Sequence, residues 1–521
     1  MRSTQAAKNV LTGFVGQLLN MLLAFITRTV FIYTLSELYL GINGLFGSLL
    51  TVLSLTELGI GTAITYALYK PLAQDDRDMI KALTDFYKRA YQIIGFAVLL
   101  IGVGMLPFLD KLITGSTDLA NIRIVFLLYV LESVASYWFF AYKATLLTAN
   151  QQKYIVTLFS CGTSILTALV RIGALFLLRT TPTIAFYSYS ALGILGQIIK
   201  NALIGHEVDR LFPYLNEGES RKLTKEEKQP IFKNVVGMFI NQVSAVMLTS
   251  VDNILISAFI SILTVGIYSN YIAIKSYLVA FIGIIFGSIK DGIGDYCARE
   301  TIEKQEEFFK TMVFTYFWIY GFCSICLWIL IDPFITGIWH SPLLPRFAVL
   351  LFILNFLLDG LSGAVYQFRM ANGLHWQTKY RYLFSAVFNG VISYLLIKPL
   401  GVVGVLLGST ASVLIMISFD PIIVYKNVFH KSAAPYFLSY LAYLALIFAT
   451  GAAVTAAALP FSEVTFVNFI VRMALCVVIP NGLWILIFRK SRHFSALKDY
   501  GMQLFRQFFK ILGGKKKDVS A

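Results

Sequence analysis

The chain has 521 residues, of which 57% are apolar and 14% charged, with a mean hydropathy of +0.73. Soluble domains run at roughly 45–50% apolar and about 25% charged, so this composition excludes a water-soluble globular protein. The 15% aromatic content excludes a disordered chain, and five cysteines, odd in number and scattered, exclude a disulfide scaffold.

A helix crosses about 30 Å of hydrocarbon with roughly 20 residues. That window predicts fourteen spans, all helical because an open strand leaves its backbone groups unsatisfied in lipid. The first starts at Asn9 and carries Gly13, Gly16, Gln17, Asn20, Ala24, Thr27 and Arg28 at helical spacing, a small and polar face suited to an aqueous cavity. It is too long for a signal-peptide core and has no small-residue cleavage site. The second starts at Ile42 and holds Glu57, the third at Thr84, the fourth at Ile122 with Glu132, the fifth at Tyr154 with Arg171, and the sixth at Thr183. These make an N-terminal lobe, residues 1–204. The polar stretch 205–232 is far below the roughly 50 residues of a domain and is predicted to be a cytoplasmic connector.

A C-terminal lobe, residues 233–430, follows. Its first span starts at Lys233 and repeats the polar face with Gly237, Asn241, Ser244 and Asp252. The next starts at Val265 with Lys275, then come Lys310, Arg346 with Asp359, Thr378 and Gly401. Spans thirteen and fourteen, from Pro435 and Glu463, are an appended pair within 431–488. The tail 489–521 sets Leu497, Leu504, Phe505 and Phe508 among Arg506, Lys510 and Lys515–Lys517. That pattern suits either an amphipathic helix on anionic lipid or a solvated basic tail.

The formal charge of +15 would suggest nucleic acid in a soluble chain; here it is mostly topology, and no nucleic-acid partner is expected. Basic residues gather in alternate loops (Lys70, Arg77 and Lys81; Lys153; the connector; Arg299 and Lys304; Lys426 and Lys431), while the loops between hold few. By the positive-inside rule both termini are predicted to be cytoplasmic, which an even span count requires. A shift of 225 positions superposes Lys8-Asn9-Val10 on Lys233-Asn234-Val235, Phe14 on Phe239, Gln17 on Gln242 and Gly41-Ile42 on Gly266-Ile267. A second echo, with a short insertion, pairs Ala149-Asn150 and Lys153-Tyr154 with Ala371-Asn372 and Lys379-Tyr380. Six spans separate the copies, so the halves are parallel repeats, an arrangement that places a transport site between them.

A charge at bilayer depth costs at least about 2.5–3.5 kcal/mol, so each needs a reason. Arg28 and Lys275 are the candidate cavity cations. Gln17, Asn20, Glu57, Glu132, Arg171, Asn241, Asp252 and Asp359 are candidates for cavity lining or ion coupling, with Asp252 or Glu57 a partner for Lys275. A structural ion pair and close packing through small residues are the plainer explanations. Cys323-Ser-Ile-Cys326 lies mid-span without a second pair, the histidines are scattered, and no Gly-rich phosphate loop occurs. No metal, cofactor or ATPase site is expected.

The Lys-Asn opening of the first span, Leu40–Ile42, the Thr-Glu-Leu-Gly-Ile-Gly run Thr56–Gly61 and the Ala-Asn…Lys-Tyr between spans four and five, in this order and with fourteen helices, resemble the lipid-linked oligosaccharide flippases. These form the polysaccharide transporter branch of the multidrug/oligosaccharidyl-lipid/polysaccharide exporter superfamily. The resemblance covers essentially the whole chain. It implies a V-shaped, two-lobed transporter in a bacterial cytoplasmic membrane that moves undecaprenyl-diphosphate-linked oligosaccharide to the outer leaflet by alternating access, alongside polymerase and export partners. It also implies a cationic cavity, as in the related lipid II flippases, with Arg28 matching their arginine on helix one and Lys275 a second cation. Coupling to Na+, to H+ or to the membrane potential stays open. A cation-coupled multidrug antiporter is the second reading, and a membrane glycosyltransferase or polymerase the third. The antiporter would want an acidic cavity; the enzyme usually needs a sizeable external loop, and none is present.

Overall fold

The computed structural model describes residues 2–57, 60–115, 121–374 and 379–498, and among these it is helical throughout, without strands. In chain order the helices are α1 (Arg2–Thr34), α2 (Glu37–Leu53), α3 (Ile60–Gln74), α4 (Arg77–Met105), α5 (Leu109–Leu112), α6 (Ile122–Tyr137), α7 (Ala144–Ala149), α8 (Lys153–Leu177) and α9 (Pro182–Leu211). They continue with α10 (Lys225–Phe259), α11 (Ile262–Arg299), α12 (Ile302–Gly337), α13 (Arg346–Ala371), α14 (Lys379–Leu400), α15 (Val402–Val424), α16 (Ala434–Ala458) and α17 (Phe466–Phe488). A helix lies at or within a few residues of every predicted span start. Among the described residues, eleven helices are long and apolar enough to cross a membrane, twelve with the bent pair α6–α7. The predicted second span is instead split into α2 and α3 by a short 3-10 turn at Ser54–Glu57. The predicted sixth is α9, whose apolar run is interrupted by Gln197, Lys200 and Asn201.

The chain forms two compact units, Met1–Ile284 with Lys379–Ser409, and Ile285–Thr378 with Thr410–Ala521. In the first unit the predicted fourth span breaks between α6 and α7 at 43°. Phe139 and Phe140 there have φ of 51° and 70°, a left-handed conformation that ends a helix of L-residues. A break at membrane depth frees carbonyls that lipid cannot satisfy. Asn201 of α9, 4% exposed, supplies the missing donor: its Nδ2 reaches the Ala135 carbonyl at 2.9 Å and that of Trp138 at 3.3 Å. Gly205, one turn on, makes room for the bend, since a Cβ there would lie 2.7 Å from Phe140 Cβ. Lys143 pairs with Asp209 just beyond.

The same unit contains a reciprocal helix crossing. A Cβ at Gly41 of α2 would sit 1.9 Å from the Ile262 carbonyl oxygen, and a Cβ at Gly266 of α11 would sit 2.0 Å from that of Glu37. Gly41 and Gly266, like Glu37 and Ile262, are the positions the 225-residue shift superposes. One helix of each repeat thus meets its counterpart through a local two-fold contact that only glycine admits. The connector is tied down beneath α4: Lys81 donates to the carbonyls of Glu217 and Gly218. It then starts α10 with a reciprocal cap, Thr224 accepting from the Glu227 amide while Glu227 accepts from the Thr224 amide. Arg221 and the Thr224 amide hold the Glu227 carboxyl down at about 2.

The second unit is built on α12 and α13, whose apolar windows are 61% and 67% buried, against 22% and 17% for α16 and α17. Gly360 and Gly363 of α13 offer bare backbone to Tyr320 and Tyr316 of α12. Phe317 of α12 stacks on Tyr443 and lies tilted against Trp484, whose indole donates to Thr450 Oγ1 at 3.1 Å. Beyond α17, His493 bonds Thr311 at 3.0 Å and Phe494 stacks on Trp318. The predicted amphipathic tail after residue 498 lies outside the described residues.

Candidate functional site

Helical periodicity assembles a cavity of about 520 Å3 in the first unit. The face of α1 predicted to be polar contributes Asn20, Ala24, Thr27 and Arg28, and α8 contributes Thr163, Ser164, Thr167 and Arg171 at the same spacing. From α9 come Tyr189, Gly193, Gly196, Gln197 and Lys200, from α6 Glu132, from α2 Leu40 and Asn43, and from α11 Tyr277. Small residues let these helices converge. A Cβ at Gly196 would lie 2.2 Å from Thr167 Oγ1, and one at Gly16 would lie 2.6 Å from Cys161 Sγ. Close approach through small residues is how helices pack where lipid supplies no hydrophobic drive.

Three cations and one carboxylate line this space, leaving a formal excess of two positive charges. Arg28 donates through Nη2 to Ser269 Oγ and Asn270 Oδ1, both at 2.8 Å, so a residue of the first repeat is fastened to α11 of the second. The superposed contact also exists: Asn253, 225 positions after Arg28, donates to the carbonyl of Gly44, the counterpart of Ser269, at 3.4 Å and to Ser48 Oγ at 2.9 Å. Arg171 donates from Nε to the Tyr189 carbonyl at 2.9 Å, lies 4.3 Å over the Tyr189 ring, and pairs through Nη2 with Glu132 Oε1 at 3.3 Å. Lys200 is held by Gln197 Oε1 at 2.8 Å. Asn20 reaches Cys161 Sγ at 3.7 Å, and Asn43 accepts from Tyr129 at 2.6 Å.

Of the predicted site residues, the structure thus gathers Arg28, Asn20, Glu132 and Arg171 in one place. Gln17 is exposed on α1 outside the lining. Glu57 sits in the turn after α2 and accepts hydrogen bonds from Tyr91 and Tyr137. Asp252 is buried on α10, accepting from Tyr268 at 3.3 Å and Ser409 at 3.2 Å, with Lys275 close enough for the two charges to attract. Lys275 itself does not line the cavity. Asp359 is exposed on α13, in the second unit. Asn241 belongs to α10, and its side chain lies outside the described residues.

Lys200 is the cavity cation that sequence reasoning misses. It falls near the inner end of a 20-residue window opened at Thr183, where a lysine looks interfacial. The helix continues to Leu211, and the cluster Gln197, Lys200 and Asn201 within it was the available signal.

The sequence matches no family model and no curated protein. Solved structures share its fold. The lipid II flippase MurJ in an inward closed conformation superposes with a TM-score of 0.62 at 13% identity, over 92% of this chain and 99% of that one. An inward-facing multidrug resistance MATE family transporter of the MOP superfamily gives 0.60 at 12% identity, over 78% and 94%. A MOP superfamily transporter from Pyrococcus furiosus, described for the reverse polarity of its binding pocket, gives 0.54 at 12%, over 81% and 96%. The chain therefore has the fold of these transporters.

Proposed function

We propose that the protein is a flippase that carries undecaprenyl-diphosphate-linked oligosaccharide from the inner to the outer leaflet of a bacterial cytoplasmic membrane by alternating access of its two repeats. The observation that carries this reading is the cationic cavity: Arg28, Arg171 and Lys200 against Glu132 alone. A diphosphate bears up to two negative charges and is matched by guanidinium and ammonium donors. The cavity volume lies in the roughly 300–1,000 Å3 range of small-ligand sites, and the amides and hydroxyls of Asn20, Asn43, Ser164 and Gln197 suit sugar hydroxyls. The prenyl tail stays in lipid. A cationic drug would meet repulsion in this cavity, so the antiporter reading is not favoured.

With both termini cytoplasmic, an inside-negative potential pushes the anionic headgroup outward by about 2.3 kcal/mol per charge per 100 mV. Should an ion also be coupled, Asp252, beside Tyr268, Ser409 and the Lys275 charge, is the carboxylate proposed to bind Na+ or H+. Polysaccharide polymerase and export machinery would receive the product. The test is a flipping assay in proteoliposomes with a defined prenyl-diphosphate sugar. Removing a charged donor to phosphate costs about 1.5–3 kcal/mol, so Arg28→Ala and Arg171→Ala should each slow flipping by about tenfold or more. Wild-type rates in both variants would overturn the reading.

A further inference from the structure

We infer that Glu132 is a built-in counter-anion, whose carboxylate holds, in the empty cavity, the place that phosphoryl oxygens of the cargo take on binding. The inference rests on the anionic-headgroup reading above and names how that site releases its ligand.

Arg171 does not depend on Glu132 for its position. Its Nε is fixed on the Tyr189 carbonyl and its plane lies over the Tyr189 ring, which leaves the outer edge of the fork for an anion. Glu132 occupies that edge loosely: 3.3 Å separates the atoms, where a tight charge-assisted bond runs at about 2.7–2.9 Å. It is the one hydrogen bond the carboxylate accepts among the described residues. The Glu132 side chain is 33% exposed.

Gly193 shows that the pair is built for this position. A Cβ there would lie 1.9 Å from Arg171 Nη2 and 2.3 Å from Glu132 Oε1, so the two charges meet over bare backbone. Lys200, about two turns further along α9, also attracts Glu132 and is the partner it turns to when the fork is taken.

The charges close. A diphosphate of two negative charges cancels the formal excess of two that the empty cavity carries with Glu132 present. Cargo and Glu132 can therefore occupy the cavity together, one on Arg171 and Arg28, the other on Lys200. Return of Glu132 to Arg171 then competes with the diphosphate and promotes its departure. A cavity of three cations without Glu132 would hold its cargo too tightly to turn over.

The experiment titrates full-length protein in nanodiscs with inorganic pyrophosphate in one arm and undecaprenyl diphosphate in the other, and measures flipping kinetics in parallel. Glu132→Gln should bind about tenfold tighter, the scale of one partly buried ion pair removed from the empty state. Its half-saturation and its turnover should fall together. Glu132→Asp, which keeps the charge on a shorter side chain, should tighten binding less than Glu132→Gln, and Arg171→Gln added to Glu132→Gln should abolish the gain. Tightening with pyrophosphate alone assigns the site to a free anion; tightening in both arms assigns it to the lipid headgroup. Wild-type binding with an unchanged or weakened Glu132→Gln overturns the counter-anion and leaves the anionic cavity standing. Absence of binding in wild type and variant alike overturns the reading beneath it.

Discussion

The reciprocal crossing of α2 and α11 offers the sharpest test of the duplicated architecture. A methyl group at Gly41 would lie 1.9 Å from the Ile262 carbonyl oxygen, and one at Gly266 would lie 2.0 Å from that of Glu37. Both obstacles are backbone, so no rotamer change relieves them. Restoring ordinary contact requires the helices to part by about 1–1.5 Å, and overpacking on that scale costs about 1–3 kcal/mol. Gly41→Ala and Gly266→Ala should therefore destabilise the protein by similar amounts. The double substitution should cost less than the sum, because the first has already opened the crossing for the second. Gly47→Ala on the same α2 has nothing within 4 Å of its new methyl and should be neutral or slightly stabilising, by up to about 1 kcal/mol of helix propensity. Thermal unfolding in detergent, read by thiol labelling of the buried Cys161 in the same unit, measures all four variants. Equal unfolding temperatures for Gly41→Ala and Gly47→Ala would refute the close crossing.

Two further outcomes follow from groups outside the cavity. Asn201→Leu strands the carbonyls of Ala135 and Trp138 at the bend between α6 and α7. Each unsatisfied group costs about 1–3 kcal/mol, so the variant should unfold at lower temperature, and a normal unfolding temperature would exclude this role. The Glu227 carboxyl is held at about 2, against an ordinary value of 4.5. A lowered carboxyl stabilises the fold above the ordinary value and loses that contribution as pH falls through the lowered one. Amide protection at the start of α10, relative to the intrinsic exchange rate at each pH, should therefore fall between about pH 4.5 and 2 and stay constant just above that range, and Glu227→Gln should abolish that pH step.

Much of the fold is legible because bilayer physics leaves few choices. Twenty apolar residues must become a helix, and helices lie at or near all the predicted starts. What the hydropathy window cannot see is continuity. Phe139 and Phe140 are as apolar as their neighbours, and their left-handed backbone is fixed by Gly205 and Asn201 on another helix. The span predicted from Ile42 likewise runs through a turn that places Glu57 beside Tyr91 and Tyr137. At the cavity, the period of α1 puts Asn20, Thr27 and Arg28 on one face, and these three line it while Gln17 does not. Which helix supplies the opposing charges depends on packing: the Lys275 charge attracts Asp252, away from the lining, while Lys200 takes a place on it.

The two repeats agree where backbones touch and differ where charge matters. Gly41 and Gly266 are both kept, since any side chain at either would collide with its partner's carbonyl. One turn of contact away the pair diverges: Arg28 faces Ser269 in one half of the crossing, and Asn253 faces Gly44 in the other. Asparagine and arginine can both bridge the two helices, but only arginine also brings a charge to the cavity beside α1. A symmetric duplicate with arginine at both places would put a second guanidinium at the Gly44 contact, away from the Glu132, Arg171 and Lys200 cluster that lies wholly on α6, α8 and α9. The charges that line the cavity, Arg28, Glu132, Arg171 and Lys200, all lie on the first copy. On the reading proposed above, that is how a repeated frame would carry an anion site on one of its copies.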